Sequence, residues 1–131
     1  MKRNRILIID DDPNISRLVA TMLNRLGGYD VCIENRSYAA QAAAERFDPD
    51  LVLLDVNMPG KDGGEVASEL KADPRFTNVP IVFLTSLISP SETGEGAIMN
   101  SGMPFLAKPV NPHALARTVK ILIANTCAVA M

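Results

Sequence analysis

Five polar residues follow short apolar runs, and their types suit chemistry on a phosphate group. Asp10 and Asp11 are adjacent after the first run, and the others each follow a later run: Asp55, Thr85 and Lys108. Clustered carboxylates repel one another, so one of them takes up a proton unless a cation is close by. Hard oxygen ligands favour Mg²⁺, which retains several waters and accepts one or two carboxylates together with a phosphate. The set therefore predicts Mg²⁺-dependent phosphate chemistry, with Mn²⁺ as a plausible substitute.

The three types of side chain have different uses in such a reaction. A carboxylate such as Asp55 can act as a nucleophile and form an acyl phosphate. Lys108 is a mobile point charge suited to a phosphoryl oxygen, and the hydroxyl of Thr85 can donate to another. Taken alone, each residue has an ordinary alternative, such as a helix cap, a strand residue or a solvated lysine. The hypothesis depends on their meeting at one place.

Short apolar runs alternate with helical patterns along the whole chain, which predicts how these residues meet. The predicted strands are Ile6–Ile9, Tyr29–Ile33, Leu51–Leu54, Pro80–Leu84 and Phe105–Ala107. The predicted helices are Pro13–Leu26, capped by Asp12, then Ser37–Phe47, Asp62–Ala72 with a capping box from Asp62 to Glu65, and one from Pro112. Alternation of this kind is typical of an α/β fold with a doubly wound, five-stranded parallel sheet. Ligands bind beyond the carboxyl ends of such strands, where all five polar residues lie.

Length and composition fit one small domain. The chain has 131 residues, a formal net charge of −2 and 47% apolar residues. We expect a single domain over residues 1–131, with a core of about 5–124 and a frayed tail at 125–131. The sequence lacks a basic stripe for nucleic acid and an apolar run long enough to span a membrane. Cys32 and Cys127 are expected to be small core residues in a reduced, cytoplasmic protein.

Four stretches resemble, in order and spacing, the receiver domain of response regulators, the CheY-like superfamily of two-component signalling. They are Ile6–Pro13, Leu51–Gly60, Pro80–Ser86 and Phe105–Pro109. The resemblance implies a flavodoxin-like strand order of 2-1-3-4-5 and a cis peptide bond before Pro109. It implies a phosphorylated signalling protein and not an enzyme, apart from its own phosphorylation and dephosphorylation.

The resemblance also implies a role for each matched residue at the metal. Asp55 would be the phosphoacceptor, receiving its phosphoryl group from a sensor histidine kinase or a phosphotransfer protein. Asp11 would bind Mg²⁺ directly, Asp10 would bind it largely through water, and Asp55 would complete the carboxylate ligands. Asn57 would contribute its backbone carbonyl oxygen.

Three further residues would sense the phosphoryl group according to the same resemblance. Lys108 would hold it, and Thr85 would move toward it. Phe105 matches the aromatic residue that follows this movement inward, with a plain core aromatic as the alternative. The movement would switch a protein-interaction surface that acts on an unknown downstream protein or a covalently linked output domain.

The segment from residue 87 to residue 104 departs from the family pattern. Gly94 and Gly96 each disfavour a helix by about 1 kcal/mol relative to alanine, so we expect a short or irregular helix there. Family members commonly bind targets through this face, and inference of a target by analogy is correspondingly weak. Leu87 occupies a position that could influence phosphoryl lifetime. His113, the single histidine, is expected on a helix surface.

Other functions compete with the receiver interpretation. A Mg²⁺-dependent phosphohydrolase also attacks with a strand-end aspartate, but it usually has a second acid two residues later, where this chain has Asn57. A flavin or nucleotide binder would need a glycine- or hydroxyl-rich loop after the first strand, where this chain has three aspartates. The last alternative is a receiver that serves only as a scaffold and does not switch. The complete set of acidic residues argues against it.

Overall fold

The structure is a computed structural model that describes residues 3–86 and 104–130, with side chains to residue 124. The strands are β1 (Asn4–Ile9), β2 (Tyr29–Glu34), β3 (Leu51–Asp55), β4 (Ile81–Thr85) and β5 (Phe105–Ala107). The α-helices of the described residues are α1 (Pro13–Leu26), α2 (Ala40–Phe47), α3 (Gly63–Ala72) and α4 (Pro112–Ala130). Each predicted strand is present within a few residues of its predicted bounds.

The five strands form one sheet in the order β2-β1-β3-β4-β5. All four pairings are parallel, and β1 lies between β2 and β3. The α/β class and the flavodoxin-like order implied by the family resemblance are therefore confirmed. Because the strands are parallel, their carboxyl ends lie along a single edge of the sheet.

The sheet is covered by helices on both faces, which explains why its central strands are apolar throughout. Alternate residues of β1 contribute to different sides: Leu7 and Ile9 pack with residues of α2 and α3, whereas Ile6 and Ile8 pack with residues of α1 and α4. All four of these side chains are fully buried. This two-sided core fixes β1 and β3, from whose ends the acidic residues extend.

Two helices begin directly after residues whose side chains cap them. Asp12 accepts hydrogen bonds from the N–H groups of Asn14 and Ile15, and Asp62 accepts one from the N–H of Glu65 at 2.9 Å. The prediction that α2 begins at Ser37 is wrong in one respect, because residues 37–39 form a 3-10 turn before the α-helix. The Ser37 hydroxyl is turned toward the loop after β3 and does not cap the helix.

The remaining predictions concern the end of the chain and single residues. The backbone of α4 is helical as far as Ala130, beyond the core limit of about residue 124 expected from the sequence. Cys32 is half-buried against the core, and burial raises the pKa of its thiol. His113 is exposed in the first turn of α4. The side chain of Cys127, Leu87 and the expected irregular helix lie outside the described residues.

None of the helices within residues 3–86 and 104–130 combines the length and apolar character of a membrane span.

Candidate functional site

The predicted polar residues meet at the carboxyl edge of the sheet. Asp10 follows β1, Asp55 ends β3, Thr85 ends β4 and Lys108 follows β5. Asp10, Asp55 and Thr85 are buried, whereas Asp11 is exposed. One carboxylate oxygen from each of Asp10, Asp11 and Asp55 lies within 4.8 Å of the others. The convergence expected from the sequence is thus present in the structure.

Lys108 supplies positive charge to two of these acids. Its Nζ lies 3.1 Å from Asp55 Oδ1 and 3.1 Å from Asp10 Oδ2. The backbone N–H of Lys108 donates to the carbonyl oxygen of Thr85 at 2.8 Å, which extends the pairing of β4 with β5. The peptide bond between Lys108 and Pro109 is cis, as the family resemblance implies. The short strand β5 therefore places the ammonium group over the ends of β1 and β3.

The surroundings of Asp55 and Lys108 shift the pKa of each group. Burial raises the pKa of the Asp55 carboxyl to about 6; the hydrogen bond from Lys108 opposes this rise, and the neighbouring Asp10 and Asp11 add to it. Burial lowers the pKa of the Lys108 ammonium, but the contacts with Asp55 and Asp10 outweigh burial and raise it overall. Asp55 is consequently a carboxylate at neutral pH that gains from any added positive charge.

One atom of the site lacks a directed partner. Asp10 Oδ1 accepts a hydrogen bond from the N–H of Asp12 at 3.0 Å. Asp10 Oδ2 is buried and makes no well-directed hydrogen bond, although Lys108 Nζ lies at ion-pair distance. A buried carboxylate oxygen in this position costs free energy unless another group satisfies it. A cluster with one hard oxygen donor from each of Asp10, Asp11 and Asp55 fits a divalent cation of the Mg²⁺ class.

The loop after β3 places Asn57 and the start of α3 beside Asp55. The backbone N–H of Asn57 donates to Asp55 Oδ1 at 3.3 Å, and the Asn57 side chain is exposed. The N–H of Gly63 donates to the carbonyl oxygen of Val56 at 2.9 Å. A Cβ atom at Gly63 would lie 2.5 Å from the Asp55 carbonyl oxygen and 2.8 Å from Val56 Cα. Glycine at this position therefore permits α3 to approach the end of β3.

Sequence reasoning did not identify Gly63 as part of the site. A signal was available, since Gly63 directly follows the capping residue Asp62 and precedes a second glycine. Two glycines in a first helical turn disfavour a helix. Their presence at the start of a predicted helix therefore indicates a position where close packing requires glycine.

The two residues expected to switch are both buried. Thr85 is 3% exposed at the end of β4, and Phe105 is 4% exposed in β5. Phe105 is opposite Phe83 of β4 and belongs to the core on the side of α2 and α3. An inward position of Phe105 fits either a plain core aromatic or the switching role, so that role remains a prediction.

Comparison with known proteins places the site in a family. The model of the response regulator receiver domain matches residues 6–120. The DNA-binding dual master transcriptional regulator RpaA of Synechocystis sp. is 37% identical over 123 residues, covering 93% of this chain and 50% of that protein. The sensor protein GacS of Pseudomonas syringae is 36% identical over 119 residues, covering 88% of this chain and 13% of that protein. The chain thus spans half or less of these relatives.

A solved structure with a similar fold contains a metal ion. The receiver domain of a sensor histidine kinase from Pseudomonas aeruginosa has a TM-score of 0.76 and 31% identity, covering 94% of this chain and 99% of that one. A magnesium ion is coordinated in the active site cleft of that structure. The match over residues 6–120 together with the strand order and the acidic cluster leads to one conclusion. The chain belongs to the family of response regulator receiver domains, which act as phosphoacceptors in two-component signalling.

Proposed function

We propose that Asp55 is the phosphoacceptor of this receiver and that its phosphorylation depends on Mg²⁺. The observation that carries the proposal is the position of Lys108 Nζ, 3.1 Å from both Asp55 Oδ1 and Asp10 Oδ2. A single ammonium beside three clustered carboxylates leaves excess negative charge, which a divalent cation would compensate. The same ammonium is available to an oxygen of an arriving phosphoryl group.

The residues that would hold the cation are Asp10, Asp11 and Asp55, joined by the backbone carbonyl of Asn57. Asp11 is exposed and would bind the cation directly. Asp10 is fully buried, and its Oδ2, which makes no well-directed hydrogen bond, would reach the cation through water. Bound Mg²⁺ would neutralise charge between the carboxylates and the phosphoryl oxygens. Mn²⁺ has similar preferences and should substitute.

The covalent step is proposed as an in-line displacement. A carboxylate oxygen of Asp55 forms a bond to phosphorus while the bond from phosphorus to the donor imidazole nitrogen breaks, and the electron pair remains on that nitrogen. Lys108 stabilises charge on the phosphoryl oxygens, and positioning supplies most of the remaining rate. The hydroxyl of Thr85 would then donate a hydrogen bond to a phosphoryl oxygen. Phe105 would repack as Thr85 moves, and this would change the surface around β4 and β5.

Receiver domains interact with histidine kinases or phosphotransfer proteins, and we propose a donor of this class for Asp55. The downstream target would be a protein or a linked output domain, without direct binding of nucleic acid or membrane by these residues. A cytoplasmic setting is supported by the relative from Synechocystis, which is a DNA-binding regulator. No turnover of outside substrates is proposed, because the position two residues after Asp55 is an amide.

Phosphorylation by a small acyl phosphate tests the proposal. With Mg²⁺, intact mass should increase by one phosphoryl group; the Asp55→Asn variant and a chelated sample should remain unlabelled. Asp30→Asn is a matched control, since Asp30 is an exposed carboxylate of β2 paired with Arg3, and it should label normally. Absence of any adduct with every donor and divalent cation would refute the proposal. Multiple turnover of phosphomonoesters would instead favour the phosphohydrolase.

A further inference from the structure

Two residues of the short segment after β2, Asn35 and Ser37, contact the two loops of the proposed phosphorylation site. The first contact is made by the side chain of Asn35. Its Nδ2 donates to the backbone carbonyl oxygen of Asp10 at 2.7 Å and to Ser16 Oγ at 3.0 Å. Both amide protons are thereby used, and the amide joins the end of β1 to the first turns of α1.

Further bonds make the loop between β1 and α1 a continuous network. Ser16 Oγ lies 3.1 Å from the carbonyl oxygen of Asp12, to which it donates. The N–H of Asp12 donates to Asp10 Oδ1 at 3.0 Å, and the N–H of Asp10 donates to the Glu34 carbonyl at 3.2 Å. A displacement of the Asn35 amide would therefore affect Asp10 directly at its carbonyl oxygen, and its carboxylate through three successive hydrogen bonds.

The second contact is made by Ser37, two residues later. Its buried hydroxyl donates to the carbonyl oxygen of Pro59 at 2.9 Å and accepts from the N–H of Lys61 at 3.3 Å. Between them, Gly60 has a φ of 84°, and a Cβ atom there would lie 3.4 Å from Ser37 Oγ. The loop after β3 is thus held on both sides of its turn by one hydroxyl.

The sheet holds only the first residue of each loop. The register of β1 with β2 and β3 ends at Ile9, and single backbone bonds from Asp10 to Glu34 and from Val56 to Leu84 follow it. Beyond that point, the side chains of Asn35 and Ser37 join the two loops to a single short segment. Because both anchors are only two residues apart, the separation of the two loops depends on the geometry of this one segment.

We propose that Asn35 and Ser37 are positioning residues that set the spacing of the two metal-binding loops. This inference depends on the proposed function, because it concerns the same Mg²⁺ site. Neither residue would contact the phosphoryl group. Their bonds would hold Asp10 and the backbone around Asn57 in the arrangement that a divalent cation requires, in the way that outer contacts orient the ligands of metal sites.

Magnesium affinity, measured by calorimetric titration, tests the inference without a phosphorylation reaction. Asn35→Ala and Ser37→Ala should each weaken Mg²⁺ binding about tenfold, the lower range for loss of a contact that orients a metal ligand. Asn35→Asp keeps the shape but removes both donors, and it should weaken binding at least as much. The loss of Mg²⁺ affinity in the double variant should be smaller than the product of the two single losses, since freeing either loop is enough to make the distance between the loops variable.

Gln41→Ala is the matched control, because it removes an amide whose described hydrogen bond goes to Asp73, at 3.0 Å, and not to either loop. Its melting temperature should fall about as much as that of the positioning variants, while its Mg²⁺ affinity should equal the wild type. Wild-type affinity in Asn35→Asp and Ser37→Ala, or equal weakening in Gln41→Ala, would overturn the inference. Failure of the wild type to bind Mg²⁺ or to accept a phosphoryl group would instead refute the proposed function.

Discussion

Lys108 and the three carboxylates show how unevenly charge is distributed at the scale of single residues. One ammonium lies at 3.1 Å from both Asp55 and Asp10, and the third acid, Asp11, is exposed to water. Burial of like charges costs free energy, which the fold must recover elsewhere. The apolar packing of β1 and β3 can supply it, since residues 6–9 and 51–54 are fully or almost fully buried on both faces of the sheet.

A methyl group at Gly63 should damage the site through the backbone of Asp55. The added Cβ would lie 2.5 Å from a carbonyl oxygen that belongs to β3 and cannot move aside. We expect Gly63→Ala to lower the free energy of unfolding by about 1–3 kcal/mol, as overpacking does, and to slow phosphorylation.

Gly64→Ala is the neighbouring control for this prediction. Its Cβ would meet only the side-chain oxygen of Asp62, at 3.3 Å, which can shift slightly. Denaturant unfolding of both variants should leave Gly64→Ala within about 1 kcal/mol of the wild type. Equal stability of the two variants would show that the close approach of α3 to β3 is not required.

At the scale of elements, sequence patterns predicted the strands and the helix starts because their causes are local. Apolar runs of three to five residues form strands, and Asp12 and Asp62 cap helices as their positions indicate. The site residues Asp10, Asp55 and Lys108 were predictable because each follows such a run.

The parts that sequence reasoning missed depend on contacts between distant segments. The sequence pattern predicts Ser37 as the first residue of a helix, but its hydroxyl donates to the carbonyl oxygen of Pro59, 22 residues along the chain. Asn35 is 25 residues from Asp10, and a polar residue after a strand is ordinary in any loop. Gly63 is required by the proximity of Asp55 in space. No local pattern distinguishes Asn35 and Ser37, and the pair of glycines at the start of α3 is the only local signal for Gly63, because the need for these residues arises only when the loops meet.

The cap of α1 can be tested separately from the charge that it carries. Asp12→Ala removes the acceptor for the N–H groups of Asn14 and Ile15, and it should lower the free energy of unfolding by about 1 kcal/mol. Asp12→Asn also loses the negative charge but keeps a capping oxygen, so it should remain close to the wild type. Chemical denaturation without Mg²⁺ measures both; an equally large loss in Asp12→Asn would mean that charge, not capping, is responsible.

For the whole molecule, the site links stability to pH and to metal. The pKa of Asp55 is about 6 in the folded chain, above the ordinary value of 3.8. Between these values the folded state retains a proton that the unfolded chain has released. Stability contributed by this group is therefore present at low pH and is lost as pH rises through that window. Above about pH 6 the metal-free fold carries the full penalty of the ionised carboxylate.

Removal of the Asp55 charge should consequently stabilise the metal-free protein. At pH 7.5 without Mg²⁺, the free energy of unfolding of Asp55→Asn should be about 1 kcal/mol higher than that of the wild type. This value is smaller than the full pKa shift of Asp55 would give, because solvent screens part of the charge. The difference should shrink at pH 4.5, where the wild type holds its proton. Mg²⁺ at ten times its dissociation constant should add about 1.4 kcal/mol to the wild type and less to the variant, because one ligand is lost. Thermal unfolding across pH and Mg²⁺ concentration measures all three effects. A variant that is less stable than the metal-free wild type at pH 7.5 would contradict the prediction. It would show that the ion pair of Asp55 with Lys108 stabilises the fold by more than the burial of its charge destabilises it.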